Sequence, residues 1–66
     1  MNIIVNGKDT ALEEKSSMQT LISTLNLEGK VMAAAVNMNI VKQDVWSAHV
    51  LSEGDKVELL DFVGGG

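Results

Sequence analysis

Short apolar segments separated by polar turns follow one another along the chain, and each predicts one element of secondary structure. The first segment, Asn2–Val5, is rich in β-branched residues, which favours a strand. The dipeptide Asn6-Gly7 after it favours the positive backbone angles of a two-residue hairpin turn. Residues 9–13 can then return as a second strand, so the chain is expected to open with a β-hairpin.

A helix is predicted after this hairpin. Ser16 and Gln19 have the spacing of a capping box, and Ser17 is an equally good single N-cap. Apolar residues at helical spacing define one face: Met18, Leu21, Ile22 and Leu25. The helix should end near Asn26.

The second half of the chain reads as three further strands. Residues 31–36 form a short apolar run that suits a buried strand, and residues 37–39 and 40–41 suggest a turn and a short strand. Asp44 is a candidate cap for a short helical turn. A turn at residues 53–55 precedes the last strand, residues 56–63.

This order of elements predicts an α+β domain with two layers. One main helix would pack on a mixed sheet of four to five strands, with the first and last strands parallel at its centre. That arrangement is a β-grasp, or ubiquitin-like, fold. We expect residues 1–63 to form this domain and residues 64–66 to be a flexible glycine tail.

Composition narrows the classes of function. Five basic residues against nine acidic ones give a net charge of -4, and Arg is absent, which argues against nucleic-acid binding. The absence of cysteine excludes disulfides, thiolate metal ligands and a cysteine nucleophile. No signal peptide or apolar stretch long enough for a membrane span is visible, so we expect a cytoplasmic monomer that does not bind membranes.

No constellation typical of an enzyme active site occurs. His49 is the only histidine, and a lone histidine is more typical of a structural or surface position than of a site. The acidic pairs Glu13-Glu14 and Glu53/Asp55 are more typical of solvated turns than of acid–base dyads. We therefore predict no catalytic residue, no metal site and no bound cofactor.

The last strand has apolar residues on both faces. Val57 and Leu59 alternate with Glu58, as in a half-buried strand, but Leu60 and Phe62 fall on the face of Glu58. Either the neighbouring fold covers these two side chains or they form an exposed apolar patch, and we favour the patch.

The final residues, Gly64, Gly65 and Gly66, are expected to form no regular structure but to extend the chain beyond the domain. Three extended residues span roughly 10 Å and, without side chains, can enter a narrow channel. The group that they would deliver is the carboxylate of Gly66. A carboxylate is a poor electrophile, so its use would require activation by another enzyme, for example as an acyl-adenylate.

Taken together, these features resemble the ThiS family of sulfur carrier proteins of thiamine biosynthesis, which are ubiquitin-like. The resemblance covers essentially the whole chain. The residues that carry it are Val5-Asn6-Gly7, the capped helix of residues 17–25, Ala35-Val36-Asn37, Ile40-Val41, Trp46, residues 53–60 and Phe62-Val63-Gly64-Gly65-Gly66.

The resemblance implies a mechanism in which the protein is a co-substrate. A ThiF-like adenylyltransferase would use ATP and magnesium to adenylate Gly66, and sulfur from a cysteine desulfurase or another donor would convert it to a thiocarboxylate. Thiazole synthase would then take that sulfur. Gly65 would be needed for access and Gly64 less strictly so. The resemblance also places a partner-binding face at Leu60 and Phe62, with Val41 as a further member.

Alternative functions remain open from the sequence alone. The molybdopterin synthase small subunit shares the fold, the tail and the chemistry but is usually longer. A carrier for another sulfur pathway and a protein-conjugating modifier would differ only in the acceptor. A β-grasp module used only for binding would carry an inert tail.

Overall fold

The computed structural model describes residues 1–61 and, for Asp61, the backbone alone. Within these residues, one α-helix packs on a five-stranded mixed sheet with the strand order β2-β1-β5-β3-β4. The elements are β1 (Asn2–Val5), β2 (Lys8–Ala11), α1 (Met18–Thr24), β3 (Val31–Val36), β4 (Asn39–Val41), a short 3-10 helix (Gln43–Val45) and β5 (Lys56–Asp61). The predicted β-grasp fold is confirmed. The predicted boundary between a domain of residues 1–63 and a tail of residues 64–66 lies outside the described residues.

Strand β5 occupies the centre of the sheet. It runs parallel to β1, with Ile4 opposite Lys56, and antiparallel to β3, with Val36 opposite Val57. The parallel pairing is possible because α1 carries the chain across the sheet between the two halves. The predicted central pairing of the first and last strands is therefore confirmed.

Both β-hairpins turn through two residues with positive φ, which is the pattern of the type I′ turn. Asn6 and Gly7 have φ values of 48° and 84°, and Asn37 and Met38 have values of 50° and 72°. The first turn agrees with the prediction from Asn-Gly. The second is one residue shorter than predicted, because Asn39 already pairs with β3.

The helix begins with a single cap. The side chain of Ser17 accepts a hydrogen bond from the Thr20 amide at 3.1 Å. Ser16 has another role, since its hydroxyl donates to the Glu13 carbonyl at 2.7 Å. Of the two predicted alternatives, Ser17 is therefore the N-cap. The helix ends at Thr24, slightly before the predicted end near Asn26.

The hydrophobic core lies between α1 and one face of the sheet. Its buried members are Ile3, Val5, Leu12, Met18, Leu21, Ile22, Val31, Ala34, Val36, Val41, Trp46, Leu51, Val57 and Leu59. The strands contribute alternate residues to this core, because successive side chains of a strand point to opposite faces. The exception is β3, where the register shift between Val31 and Ala33 interrupts the alternation. Within residues 1–61, no α-helix packs on the other face of the sheet.

Two predicted details differ from the structure, and a third cannot be compared with it. Strand β2 ends at Ala11, and Leu12 leaves the strand to fill the core. The 3-10 helix has Lys42 as its N-cap, without a side-chain hydrogen bond, so the prediction that Asp44 caps it was wrong. Asp44 instead lies inside this helix. The described part of β5 ends at Asp61, and its predicted continuation to residue 63 lies outside the described residues.

Candidate functional site

Strand β5 leads from the core towards the predicted reactive end of the chain. Its alternation agrees with the prediction: Val57 and Leu59 are buried against the core, and Glu58 and Leu60 point away from it. Leu60 keeps 59% of its surface exposed, whereas Leu59 keeps 8%. The uncovered face of the sheet therefore carries a large apolar side chain just before residues 62–66.

Leu60 belongs to an apolar surface on this uncovered face, which we call the open-face patch: Ala33, Ala35, Ile40 and Leu60. Leu60 lies opposite Ala33 in the β3–β5 register, and Ile40 lies opposite Ala35 in the β3–β4 register. Directly opposite side chains of neighbouring strands are in contact range. The two small alanines leave a shallow groove between Ile40 and Leu60.

Val41 does not belong to this patch, in contrast to the prediction that it joins the partner-binding face. Its side chain is 6% exposed and lies in the core, and its carbonyl accepts the indole N–H of Trp46 at 2.8 Å. The residue before it, Ile40, is 72% exposed and takes the place predicted for Val41. Strict alternation along β4 gives the physical reason, because an inward Val41 requires an outward Ile40.

The remaining predicted site residues lie outside the described residues. These are Phe62 in the predicted partner-binding face, Gly64 and Gly65 in the predicted access route, and Gly66 as the predicted site of adenylation and thiocarboxylate formation. Their roles stay predictions. The structure brings Leu60 close to that segment and supplies Ile40 as a neighbour that the sequence reasoning missed.

Two asparagine side chains, which the sequence reasoning also missed, form hydrogen bonds to β5 and the residue before it. One follows the neighbouring strand β1 and the other follows the neighbouring strand β3. The side-chain amide of Asn6 accepts from the Leu59 N–H at 2.9 Å and donates to the Leu59 carbonyl at 3.3 Å. The side chain of Asn37 accepts from the Lys56 N–H at 3.0 Å and donates to the Asp55 carboxylate at 3.0 Å. Each asparagine is the first of the two central residues of a type I′ turn. An Asn at that turn position was the only signal in the sequence.

The titratable residues considered for catalysis serve the local structure. The Glu53 carboxylate accepts the Asn2 N–H at 2.9 Å, and the Asp55 carboxylate accepts the Ser52 N–H at 2.8 Å. His49 is half-buried, and its carbonyl accepts the N–H of Met18 at the start of α1. Among the described side chains, those of residues 1–60, no group of three acidic or histidine residues is placed to hold a metal ion. None of the helices in that same part of the chain has the length and hydrophobicity that crossing a membrane requires.

Comparison with known proteins supports the resemblance seen in the sequence. The chain is similar to the sulfur carrier protein ThiS of Bacillus subtilis, at 30% identity over 63 residues, with 94% of this chain and 96% of that protein covered. It is also similar to a thiazole synthase of Paramagnetospirillum magneticum, at 26% identity over 66 residues. That alignment covers 100% of this chain but only 20% of the synthase.

The fold agrees with a solved structure over its full length. The crystal structure of the thiamine biosynthesis protein ThiS from Geobacter metallireducens matches with a TM-score of 0.81 and 31% identity, covering 100% of both chains. The sequence model described as "ThiS family" matches residues 2–66, which includes β5 and the glycines after it. The chain therefore belongs to the ThiS family.

Proposed function

We propose that this protein is a sulfur carrier of thiamine biosynthesis whose sulfur is held at the carboxyl group of Gly66. The observation that carries the proposal is the match to the ThiS family across residues 2–66. The similarity to the sulfur carrier of Bacillus subtilis and to the Geobacter structure supports the same function. The central position of β5 is consistent with it, because a rigid sheet would carry the reactive end of the chain.

The chemistry follows from the poor reactivity of a carboxylate. The Gly66 carboxylate would attack the α-phosphate of ATP, and pyrophosphate would leave, giving an acyl-adenylate. A sulfur nucleophile would then attack the acyl carbon and AMP would leave. If the nucleophile is a protein persulfide, a thiol must afterwards cleave the acyl disulfide to release the thiocarboxylate. ATP and magnesium belong to the adenylating partner in this scheme.

The partners proposed for these steps are a ThiF-like adenylyltransferase, a cysteine desulfurase or another sulfur donor, and a thiazole synthase. A thiazole synthase of Paramagnetospirillum magneticum contains a stretch similar to the whole of this chain, which supports a thiazole synthase as the sulfur acceptor. The open-face patch is the surface that we propose for docking. Its Leu60 lies one residue before the end of the described strand.

A carrier role is consistent with the tasks of two carboxylates that could otherwise have served acid–base chemistry. The carboxylates of Glu53 and Asp55 accept backbone hydrogen bonds in turns. Gly65 and Gly64 would serve to thread Gly66 into the partner's active site.

Reconstitution tests the function directly. The protein is incubated with ATP, magnesium, a ThiF-like adenylyltransferase, a cysteine desulfurase and cysteine, and its intact mass is measured. We expect an increase equal to the difference between sulfur and oxygen. The variant that lacks Gly66 should fold normally, as judged by circular dichroism, and gain no sulfur. Sulfur on the truncated variant, or none on the intact protein, would contradict the proposal.

A further inference from the structure

The pairing of β5 with β1 is short. Asn6 makes the last backbone contact between these strands, where its N–H donates to the Val57 carbonyl at 2.9 Å, and the chain then turns away into β2. The Asn6 side chain continues the pairing two residues further, because its amide bonds both the N–H and the carbonyl of Leu59. A side-chain amide has the same donor and acceptor as a peptide group, so it can replace the missing strand residue.

Beyond Leu59, β5 is held in the described backbone by β3 alone. Leu60 pairs with Ala33 and Asp61 with Val31, and the register shifts between these two pairs. An irregular ladder on one side holds a strand less firmly than two regular ladders. The Asn6 amide therefore marks the last point at which β5 is fixed from both sides.

We propose that Asn6 is a positioning residue for the carrier reaction: its side chain clamps Leu59 and so fixes the origin and direction of the segment that delivers Gly66 to the adenylating partner. This inference rests on the proposed sulfur carrier function. Seven residues, 60–66, follow the clamp, and together they can reach at most about 24 Å. Their useful reach depends on where β5 stops being fixed.

The clamp acts on binding and not on the chemical step. With Asn6 in place, Leu59 and Leu60 are ordered before the partner binds. Without the side chain, Leu59 loses its partner on the β1 side, and the end of β5 is held by β3 alone. Docking must then remove more conformational freedom from the end of the strand, which weakens binding. Once Gly66 is seated in the partner's active site, the reacting groups have the same geometry with or without Asn6.

Asn37 provides a matched control within the same chain. It has the same turn position, a similar positive φ of 50° against 48°, and two side-chain hydrogen bonds. Those bonds, however, hold the beginning of β5 at Lys56 instead of its end. Glycine suits a positive φ at both positions, so Asn6→Gly and Asn37→Gly each remove one clamp while preserving the turn.

The test measures the steady-state kinetics of adenylation, with the carrier as the varied substrate of a ThiF-like adenylyltransferase. We expect Asn6→Gly to raise KM roughly fivefold with kcat unchanged, the order expected when one or two residues must be ordered on binding. Asn37→Gly should keep the KM and kcat of the unmodified protein. Native-state hydrogen exchange should show faster exchange of the Leu59 amide in Asn6→Gly and not in Asn37→Gly.

The outcomes separate this inference from the function on which it rests. If the unmodified protein is not adenylated, the proposed function fails. If it is adenylated and the two variants have the same KM, the positioning role of Asn6 is wrong and the carrier function stands. A fall in kcat with an unchanged KM in Asn6→Gly would also overturn the inference, because it would place the effect in the chemical step.

Discussion

At the residue scale, Trp46 ties the end of β4 to the core. Its ring is buried, and its indole N–H donates to the carbonyl of Val41 in the same interior. A buried N–H without a partner would be costly, so this hydrogen bond fixes the ring and β4 together. The hairpin register places Val41 opposite the buried Ala34 and Ile40 opposite Ala35, so Val41 points inward and Ile40 outward into the open-face patch.

Replacing Trp46 with Phe should therefore destabilise the fold. The substitution leaves the buried Val41 carbonyl without its donor and reduces the volume that fills the core. We expect the free energy of unfolding to fall by about 1–3 kcal/mol. Urea unfolding measures the change, and Val50→Ala, at a position that is 55% exposed, is the control and should stay close to the unmodified protein. An unchanged midpoint for Trp46→Phe would contradict this role.

The prediction placed Val41 on the exposed face of β4, where the structure has Ile40. This error shows the limit of prediction from single residues. Residues 40 and 41 are both β-branched and apolar, and a two-residue pattern has no alternation from which to decide the inward side. The decision comes from the length of the turn before β4. The observed two-residue turn places Val41 opposite the buried Ala34, whereas the predicted three-residue turn would place it opposite Ala35 on the other face. Leu60 could be predicted correctly because Val57 and Leu59 establish the alternation before it.

At the scale of elements, the seven-residue α1 depends on its cap and on its packing, because isolated helices of this length are unstable in water. Ser17→Ala removes the acceptor of the Thr20 amide and should cost about 1 kcal/mol of stability. Thermal or urea unfolding would detect this, with the exposed Ser47→Ala as the control that should change little. Equal stability of the two variants would show that the cap contributes nothing.

Element positions were mostly predictable because each element has its own local signal. The Asn-Gly turn, the apolar stripe of α1 and the run Val31–Val36 each predicted one element in its observed place. The sequence did not decide between Ser16 and Ser17 as the cap, since both have suitable side chains. That choice depends on the Glu13 carbonyl, which occupies the Ser16 hydroxyl, and such a contact has no pattern in the sequence.

At the scale of the whole molecule, the two faces of the described sheet differ in what covers them. The helix packs on one face and, with it, encloses the core that stabilises the fold. The other face carries the open-face patch beside the described end of β5. If the open-face patch is the docking surface that we propose, binding energy and folding energy can be changed separately. The side-chain hydrogen bonds of Asn6 and Asn37 could not be predicted from local sequence patterns. They join a turn to a strand that lies about 50 residues away for Asn6 and about 20 residues away for Asn37.

This separation predicts opposite outcomes for two adjacent leucines. Leu59→Asp buries an unpaired carboxylate in the core and should unfold the domain, whereas Leu60→Asp changes an exposed position and should cost less than about 1 kcal/mol of stability. Leu60→Asp should nevertheless weaken binding to the ThiF-like adenylyltransferase about tenfold, as the loss of a central apolar contact would.

The control for binding is Val50→Asp, which introduces the same charge at an apolar residue of similar exposure outside the open-face patch, 55% against 59%. Calorimetry would give the affinities, and circular dichroism would establish that both variants are folded. If Leu60→Asp and Val50→Asp bind equally well, the patch is not the docking surface. If only Leu60→Asp is impaired while its melting temperature stays close to that of Val50→Asp, the loss must arise at the interface, because the folded state is intact.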